Sequence, residues 1–219
     1  QRQMCIRDRS YPDENISQLS LQECTKLKRE GLYICMIKNP NPVAKNVTPQ
    51  LSDAAFIREK VPMTKEEIRH VSICKLHLKS DSVLYDVGSG TGSIAVEAAS
   101  LSDDMEVYAI EQKENAVQLI TQNKEKHGLE NIHVINAKAP DGMENLKEII
   151  EALKVKNPHI RIVINAISME TICEIKEILS AYDVKNEDIV QLQVSRSKQI
   201  GHYHLMQAEN PVWICSFEF

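Results

Sequence analysis

Asp86-Val87-Gly88-Ser89-Gly90-Thr91-Gly92 (DVGSGTG) is the stretch that decides the fold. It follows residues 83–87 (VLYDV), a short apolar run of strand composition, and opens onto residues 93–101, where apolar positions recur at helical spacing. Three glycines in five residues let the chain turn tightly between strand and helix, and let a ligand lie against main-chain atoms. The spacing is G-x-G-x-G, not the G-x-G-x-x-G of dinucleotide sites. Outward from the loop the pattern stays regular. Residues 107–110, 132–135, 160–167, 189–194 and 212–217 read as strands, and residues 114–127, 146–153 and 170–179 as helices. Gly128 closes the first of these helices from a C′ position. Upstream, Thr64-Lys65-Glu66-Glu67 fits a capping box before a helix carrying Ile68, Val71, Ile73, Leu76 and Leu78. Strands alternating with helices predict an α/β fold, a mostly parallel sheet with helices on both faces.

The second strand ends in Glu111, twenty-three positions past Gly88, about where an acid bonds the ribose hydroxyls in such folds. A pyrophosphate needs a helix N-terminus held open for it. S-adenosylmethionine carries no phosphate; its cationic sulfonium and amino group favour a nearby carboxylate, which Asp86 supplies directly or by orienting the loop. Strand, D-x-G-x-G-x-G, helix, strand and acid together point to a class I, Rossmann-like S-adenosylmethionine-dependent methyltransferase. A tight turn with no such ligand and a nicotinamide-dependent oxidoreductase are the competing readings.

Composition narrows the class. The 219 residues are 42% hydrophobic and 26% charged, which is globular, and the net charge of −5 argues against a general nucleic-acid binder. No run of about 18 apolar residues spans a membrane and no apolar signal core opens the chain, so a cytoplasmic protein is expected. Six scattered cysteines without a C-x-x-C pair read as reduced, small buried hydrophobes. Residues 1–10 (QRQMCIRDRS) lack periodicity and read as a non-native leader. Residues 11–45 offer a helical turn or two at 19–27, a strand at 31–37 and the linker NPNPVAKN, too little to bury a core alone. The regular domain is expected over residues 46–219.

Several stretches are more specific than the glycine loop. VPMTKEEIRHVSICKL, DVGSGTGSIAVEAA, VYAIEQKENAVQLITQNKEKHGLENIHVI, NAKAP and SRSKQIGHYHLMQAENPVWI together resemble the decarboxylating precorrin-6B C(15)-methyltransferases of corrin (vitamin B12) biosynthesis. The resemblance covers about residues 53–219. It implies S-adenosyl-L-methionine as cofactor, held by Thr64 of PMTK, Gly88, Ser89, Gly90, Thr91 and Gly92 of the loop, Glu111 of AIE and Ala139 of NAKAP. Thr64 at the pocket rim serves both as helix cap and as cofactor contact. The implied substrate is a corrin precursor bearing acetate and propionate arms, and the implied assembly is a homotetramer, with neither nucleic acid nor membrane as partner. Residues 11–42 resemble the tail of the C(5)-methyltransferase often fused to, or encoded beside, this family. One departure stands out: the family carries seven strands and a G-G-S-G-G-type loop, whereas six strands are counted here. Leu146 runs straight into a helix where the fourth strand belongs, so one strand, at the edge of the cofactor cleft, is expected to be missing.

A polycarboxylate substrate needs local positive charge in an acidic protein. Residues 189–208 contain no Asp or Glu yet hold Arg196, Lys198, His202 and His204, the expected substrate-binding set. Arg196 would clamp a carboxylate bidentately. His202 and His204 lie two apart, sharing a face on a strand, but no third ligand accompanies them, so no metal is expected. No Ser-His-Asp or Cys-His set is visible and no general base is assigned. Two rivals remain: an S-adenosylmethionine-binding module inactivated by the missing strand, and a class I methyltransferase for RNA or protein. The pI of about 5.8 and the lack of Lys or Arg interleaved with aromatics argue against RNA.

Overall fold

The computed structural model describes residues 48–137 and 146–219, together with 2–6, 17–26, 28 and 34–38. The chain forms two compact units, Gln1–Ala44 and Lys45–Phe219. In the first, strand β1 (Arg2–Ile6) lies between β2 (Ser17–Ser20) and β3 (Ile34–Lys38), antiparallel to both. The stretch set aside as a leader thus contributes the central strand. A short helix α1 (Leu21–Cys24) begins at a reciprocal cap: the Ser20 amide donates to Glu23 Oε2 at 2.7 Å and the Glu23 amide donates to Ser20 Oγ at 3.3 Å.

The second unit contains two separate half-sheets. The first joins β4 (Val83–Val87), β5 (Glu106–Glu111) and β6 (Ile132–Asn136), all parallel with β5 central. Helices α3 (Ser93–Ala99) and α4 (Glu114–Lys126) cover one face. Ala95, Ala98 and Ala99 let α3 lie close to Leu84, Val107, Ala109 and Ile132, and Ile120 of α4 completes this core. Gly128 follows α4 at φ +63°, as its C′ position requires. The opposite face carries a stacked row, Tyr85 on Tyr108 at 5.1 Å and Tyr108 on His133 at 4.8 Å, with Val83 and Tyr85 exposed.

The second half-sheet joins β7 (Arg161–Ala166), β8 (Lys185–Leu192) and β11 (Val212–Glu218), with β11 central and antiparallel to both neighbours. Helices α5 (Leu146–Lys156) and α6 (Met169–Ala181) supply Ile150, Ile175 and Ile178 to a core with Ile162, Cys215 and Phe217. Ser168 caps α6, accepting from the Thr171 amide at 3.2 Å. Between β8 and β11 the chain forms a hairpin, β9 (Ser195–Ile200) and β10 (Tyr203–Ala208), turning at Gly201. Among the described residues eight strands therefore replace the expected six in this unit. The strand expected at 189–194 is Lys185–Leu192, and the acid-free stretch is mostly hairpin.

Among the described residues no strand pairs with the free edge of β4 or of β7, where the missing strand would lie. The two half-sheets meet instead through α2 (Glu66–Lys75). Ser72 Oγ donates to Asn165 Oδ1 at 2.9 Å, Lys75 pairs with Asp188, and Arg161 Nε donates to the Lys75 carbonyl. The capping box at Thr64 does not form: Lys65 is the N-cap of α2 and no side chain caps it. Glu67 turns instead to Arg196, and the Thr64 carbonyl accepts from Arg69. The cysteines also depart from expectation, since Cys74 and Cys173 are exposed and only Cys215, among those described, is buried.

Candidate active site

A cavity of about 1320 Å³ opens at the C-terminal ends of β4 and β5. One wall is the glycine loop. Gly88, Gly90 and Gly92 all take positive φ, as the turn from β4 into α3 demands. The amides of Gly88 and Ser89 both donate to the Ile110 carbonyl, at 2.9 and 3.1 Å, and the Gly90 amide donates to Glu111 Oε2 at 3.0 Å. The loop therefore offers no bare cluster of amides at these positions for a pyrophosphate, which agrees with a cofactor lacking phosphate.

Glu111 is buried at the end of β5. Its Oε1 accepts from the Gln112 and Lys113 amides at 2.9 and 3.0 Å, so three backbone N–H groups fix the carboxylate at the cavity wall. Lone pairs remain on a carboxylate with three donors, enough to accept from ribose hydroxyls. Asp86 lies beneath the loop. Burial raises its carboxyl above the usual range, opposed by the Ser89 hydroxyl, which donates to Oδ2 at 2.6 Å. Asp86 thus orients the loop, the indirect one of its two expected roles.

The facing wall is residues 60–65, the end of a strap that begins near Leu51. Phe56 buries the strap against the first core. Arg69, wholly buried, anchors both its ends: Nη1 donates to the Thr64 carbonyl at 2.8 Å, Nη2 to the Leu51 carbonyl at 2.5 Å, and Nε pairs with Glu97 at 2.5 Å. Glu97 in turn accepts from the Leu51 amide at 2.7 Å. Asn123 of α4 holds the middle, with Oδ1 accepting from the Ile57 amide at 2.7 Å and Nδ2 donating to the Ile57 carbonyl at 2.9 Å. The strap comes so near the loop that a Cβ on Gly90 would stand 3.1 Å from the Pro62 carbonyl.

Thr64, Gly88, Ser89, Gly90 and Glu111 all line the cavity. Thr91 and Gly92 pack beneath it: Thr91 is buried and a Cβ on Gly92 would meet Ile120 at 3.1 Å. Ala139 falls outside the described residues, although Ala137 lines the cavity.

The expected substrate set is not brought there. Arg196 pairs with Glu67 at 2.5 Å, and with Glu209 and Asp53 at 3.5 and 3.9 Å. Its charge is spent on acids outside the acid-free window: Asp53 and Glu67 far upstream, and Glu209 just past its end. Lys198, His202 and His204 are exposed on the hairpin, away from the cavity lining. His202 sits in the turn and His204 on β10, so they do not share one strand face. Among the described residues no group of three His, Cys, Asp or Glu is placed to hold a metal.

The cations that do line the cavity are Lys60, Lys65 and Lys113, with Asn165, Gln207 and Asn210 from the second half of the unit. Sequence reasoning missed these and missed Asn123. A buried Asn in the apolar stripe Ala116, Leu119, Ile120, Asn123 was a signal available for the last.

The sequence model of the precorrin methyltransferase domain matches residues 54–218. The chain is 36% identical over 192 residues to a probable cobalt-precorrin-6B C(15)-methyltransferase (decarboxylating) of Saccharolobus solfataricus, covering 78% of this chain and 96% of that one. Two solved structures are similar. A precorrin-6y C5,15-methyltransferase of Geobacter metallireducens superposes with a TM-score of 0.73 at 26% identity, covering 81% of this chain and all of that chain. A precorrin 8W decarboxylase of Methanobacterium thermoautotrophicum superposes with a TM-score of 0.68 at 29% identity, covering 76% and 98%.

Proposed function

Because the chain belongs to the precorrin methyltransferase family, we propose that it is an S-adenosylmethionine-dependent C-methyltransferase acting on a corrin precursor: it methylates C(15) of precorrin-6B and removes the carboxyl of an acetate arm, in cobalamin biosynthesis. The observation that carries this reading is Glu111, fixed by three backbone amides beside a glycine loop whose own amides are already bonded. That wall fits a ribose-bearing cofactor without phosphate.

When bound, S-adenosylmethionine supplies an activated methyl on a sulfonium. The chain's own groups divide the remaining work. Glu111 would accept from the ribose hydroxyls, Gly88, Ser89 and Gly90, their amides already bonded, would form the wall against which the cofactor lies, and Thr64 closes the rim. Asp86 keeps the loop in register through Ser89. Lys60 and Lys113 meet the substrate's carboxylate arms in place of Arg196; Lys65, also on the lining, pairs with Asp53 at 3.8 Å. Asn165, Gln207 and Asn210 complete the far wall, so the substrate is oriented between the two halves. The corrin ring acts as the electron sink for loss of carbon dioxide, and no general base is assigned.

A homo-oligomer, a tetramer by resemblance, is part of this reading. The hairpin supports it, with Ile200, Tyr203, Leu205 and Met206 exposed. No helix among the described residues is long and apolar enough to cross a membrane, and a cytoplasmic location is proposed with it. Neither a nucleic acid nor a membrane is proposed as a partner. That no strand among the described residues pairs with the free edge of β4 or of β7 favours one alternative, a cofactor-binding module that no longer turns over. Mass spectrometry of precorrin-6B incubated with the protein and S-adenosylmethionine separates the two. Gain of a methyl with loss of a carboxyl supports the enzyme; unchanged substrate beside measurable cofactor binding supports the module.

A further inference from the structure

Asn123 stands apart from the groups that face the cavity. It is wholly buried on α4 and does not line the pocket, yet its side chain makes three hydrogen bonds, to Ile57 of the strap and Thr91 of the glycine loop, just behind the pocket's two walls. Oδ1 accepts from the Ile57 amide and Nδ2 donates to the Ile57 carbonyl, so the side chain pairs with the strap as a neighbouring strand would. The same Nδ2 donates to the Thr91 carbonyl at 2.9 Å, one residue beyond Gly90 in the glycine loop.

We propose that Asn123 is a positioning residue for the cofactor, coupling the strap to the glycine loop so that Lys60–Thr64 and Gly88–Gly90 face each other at a fixed separation. The proposal rests on the cofactor reading above. The Arg69 network fixes the strap at Leu51 and Thr64 but, among the described residues, makes no hydrogen bond to the loop. Asn123 bonds both. The narrow gap between the Pro62 carbonyl and Gly90 leaves little room for drift of one wall against the other. An amide suits the task because it accepts and donates at once, and here two carbonyls and one N–H must be met together. Losing the donor leaves two buried carbonyls unmet and releases the strap from the loop.

Asn123→Asp keeps the shape and the acceptor for the Ile57 amide, and sets a carboxylate against two carbonyl oxygens. Titration with S-adenosylhomocysteine is compared with the native chain at pH 8 and at stepwise lower pH. At pH 8 the variant should bind about ten-fold more weakly, the cost of one to two unmet hydrogen bonds. The deficit relative to the native chain should shrink on acidification, because the protonated acid again donates to one carbonyl. A folded variant whose affinity matches the native chain at every pH overturns the proposal, whatever its melting temperature.

Hydrogen exchange on the native chain needs no variant. The homocysteine product should slow exchange at residues 56–58, which do not line the cavity, as well as at 88–92. Protection of 88–92 with 56–58 unaffected also overturns the proposal. If the native chain binds no S-adenosylhomocysteine at all, the cofactor reading itself fails and this inference falls with it.

Discussion

The two half-sheets of the larger unit were built from the same chain but by different rules. The β4–β5–β6 half is parallel, its strands joined through helices packed directly on them, and it holds the glycine loop and Glu111. The β7–β11–β8 half is antiparallel, its middle strand is the last in sequence, and an exposed hairpin is inserted between β8 and β11. Each has its own core, and α2 ties them together. The cavity draws the glycine loop and Glu111 from the first half and Asn165, Gln207 and Asn210 from the second. Cofactor binding should therefore answer to substitutions in the first half, and substrate binding to groups around the cavity mouth.

The largest effect expected is at Gly90. Its φ of +58° and the 3.1 Å approach to the Pro62 carbonyl leave a side chain neither conformation nor space. Gly90→Val should abolish S-adenosylhomocysteine binding by calorimetry while the far-ultraviolet dichroism stays native. Retained affinity would remove this loop from the cofactor site.

Glu111→Ala should weaken the cofactor by about 1.5–3 kcal/mol, the range for hydrogen bonds to a charged group, because both the ribose contact and the ties to three amides go. A loss within error would make Glu111 a backbone tie alone.

Asp86 gives a pH signature. Its folded pKa lies above the ordinary 3.8, chiefly through burial, so acidification protonates it first in the folded state. Between 3.8 and that raised value the folded chain holds more protons than the unfolded one, so this group adds stability as pH falls. Affinity moves the other way: a negative charge beneath the loop is lost, and with it a through-space attraction for the sulfonium. The ratio of S-adenosylmethionine to S-adenosylhomocysteine affinity should fall on acidification. A ratio independent of pH would leave Asp86 as a loop tie without electrostatic effect on the sulfonium.

The smallest effects separate the cavity mouth from the hairpin. Lys60→Ala or Lys113→Ala should raise the corrin substrate's KM by about two- to five-fold at low salt, as exposed charge pairs do, and the effect should shrink at high salt. Arg196→Ala should leave KM unchanged, since its guanidinium already pairs with Glu67 and Glu209. Steady-state kinetics at two ionic strengths checks both, and a larger KM change for Arg196 would restore it to the substrate site.

What was legible in the sequence follows the same division. DVGSGTG, Glu111 and Gly128 are read locally, because backbone conformation and strand ends constrain those residue types wherever they occur. The hairpin was not, since both of its faces are exposed and no apolar alternation marks it. Thr64-x-x-Glu67 looked like a cap, but tertiary partners outcompeted the local bond: Arg69 takes the Thr64 carbonyl and Arg196 takes Glu67. Arg196 itself looked free because its acids sit on α2 and past the hairpin. The count of six strands misses the hairpin and so falls short of the eight described; among the described residues no strand pairs with the free edges of β4 and β7, and residues 138–145, where the fourth strand is expected, lie outside them.

The central claim is that the parallel half forms an S-adenosylmethionine site despite the open sheet edge beside it. Calorimetric titration of the native chain with S-adenosylhomocysteine tests it most directly. The account predicts saturable binding with one site per chain, lost in Gly90→Val. A folded native chain that takes up no ligand, or one whose binding survives Gly90→Val intact, would contradict it.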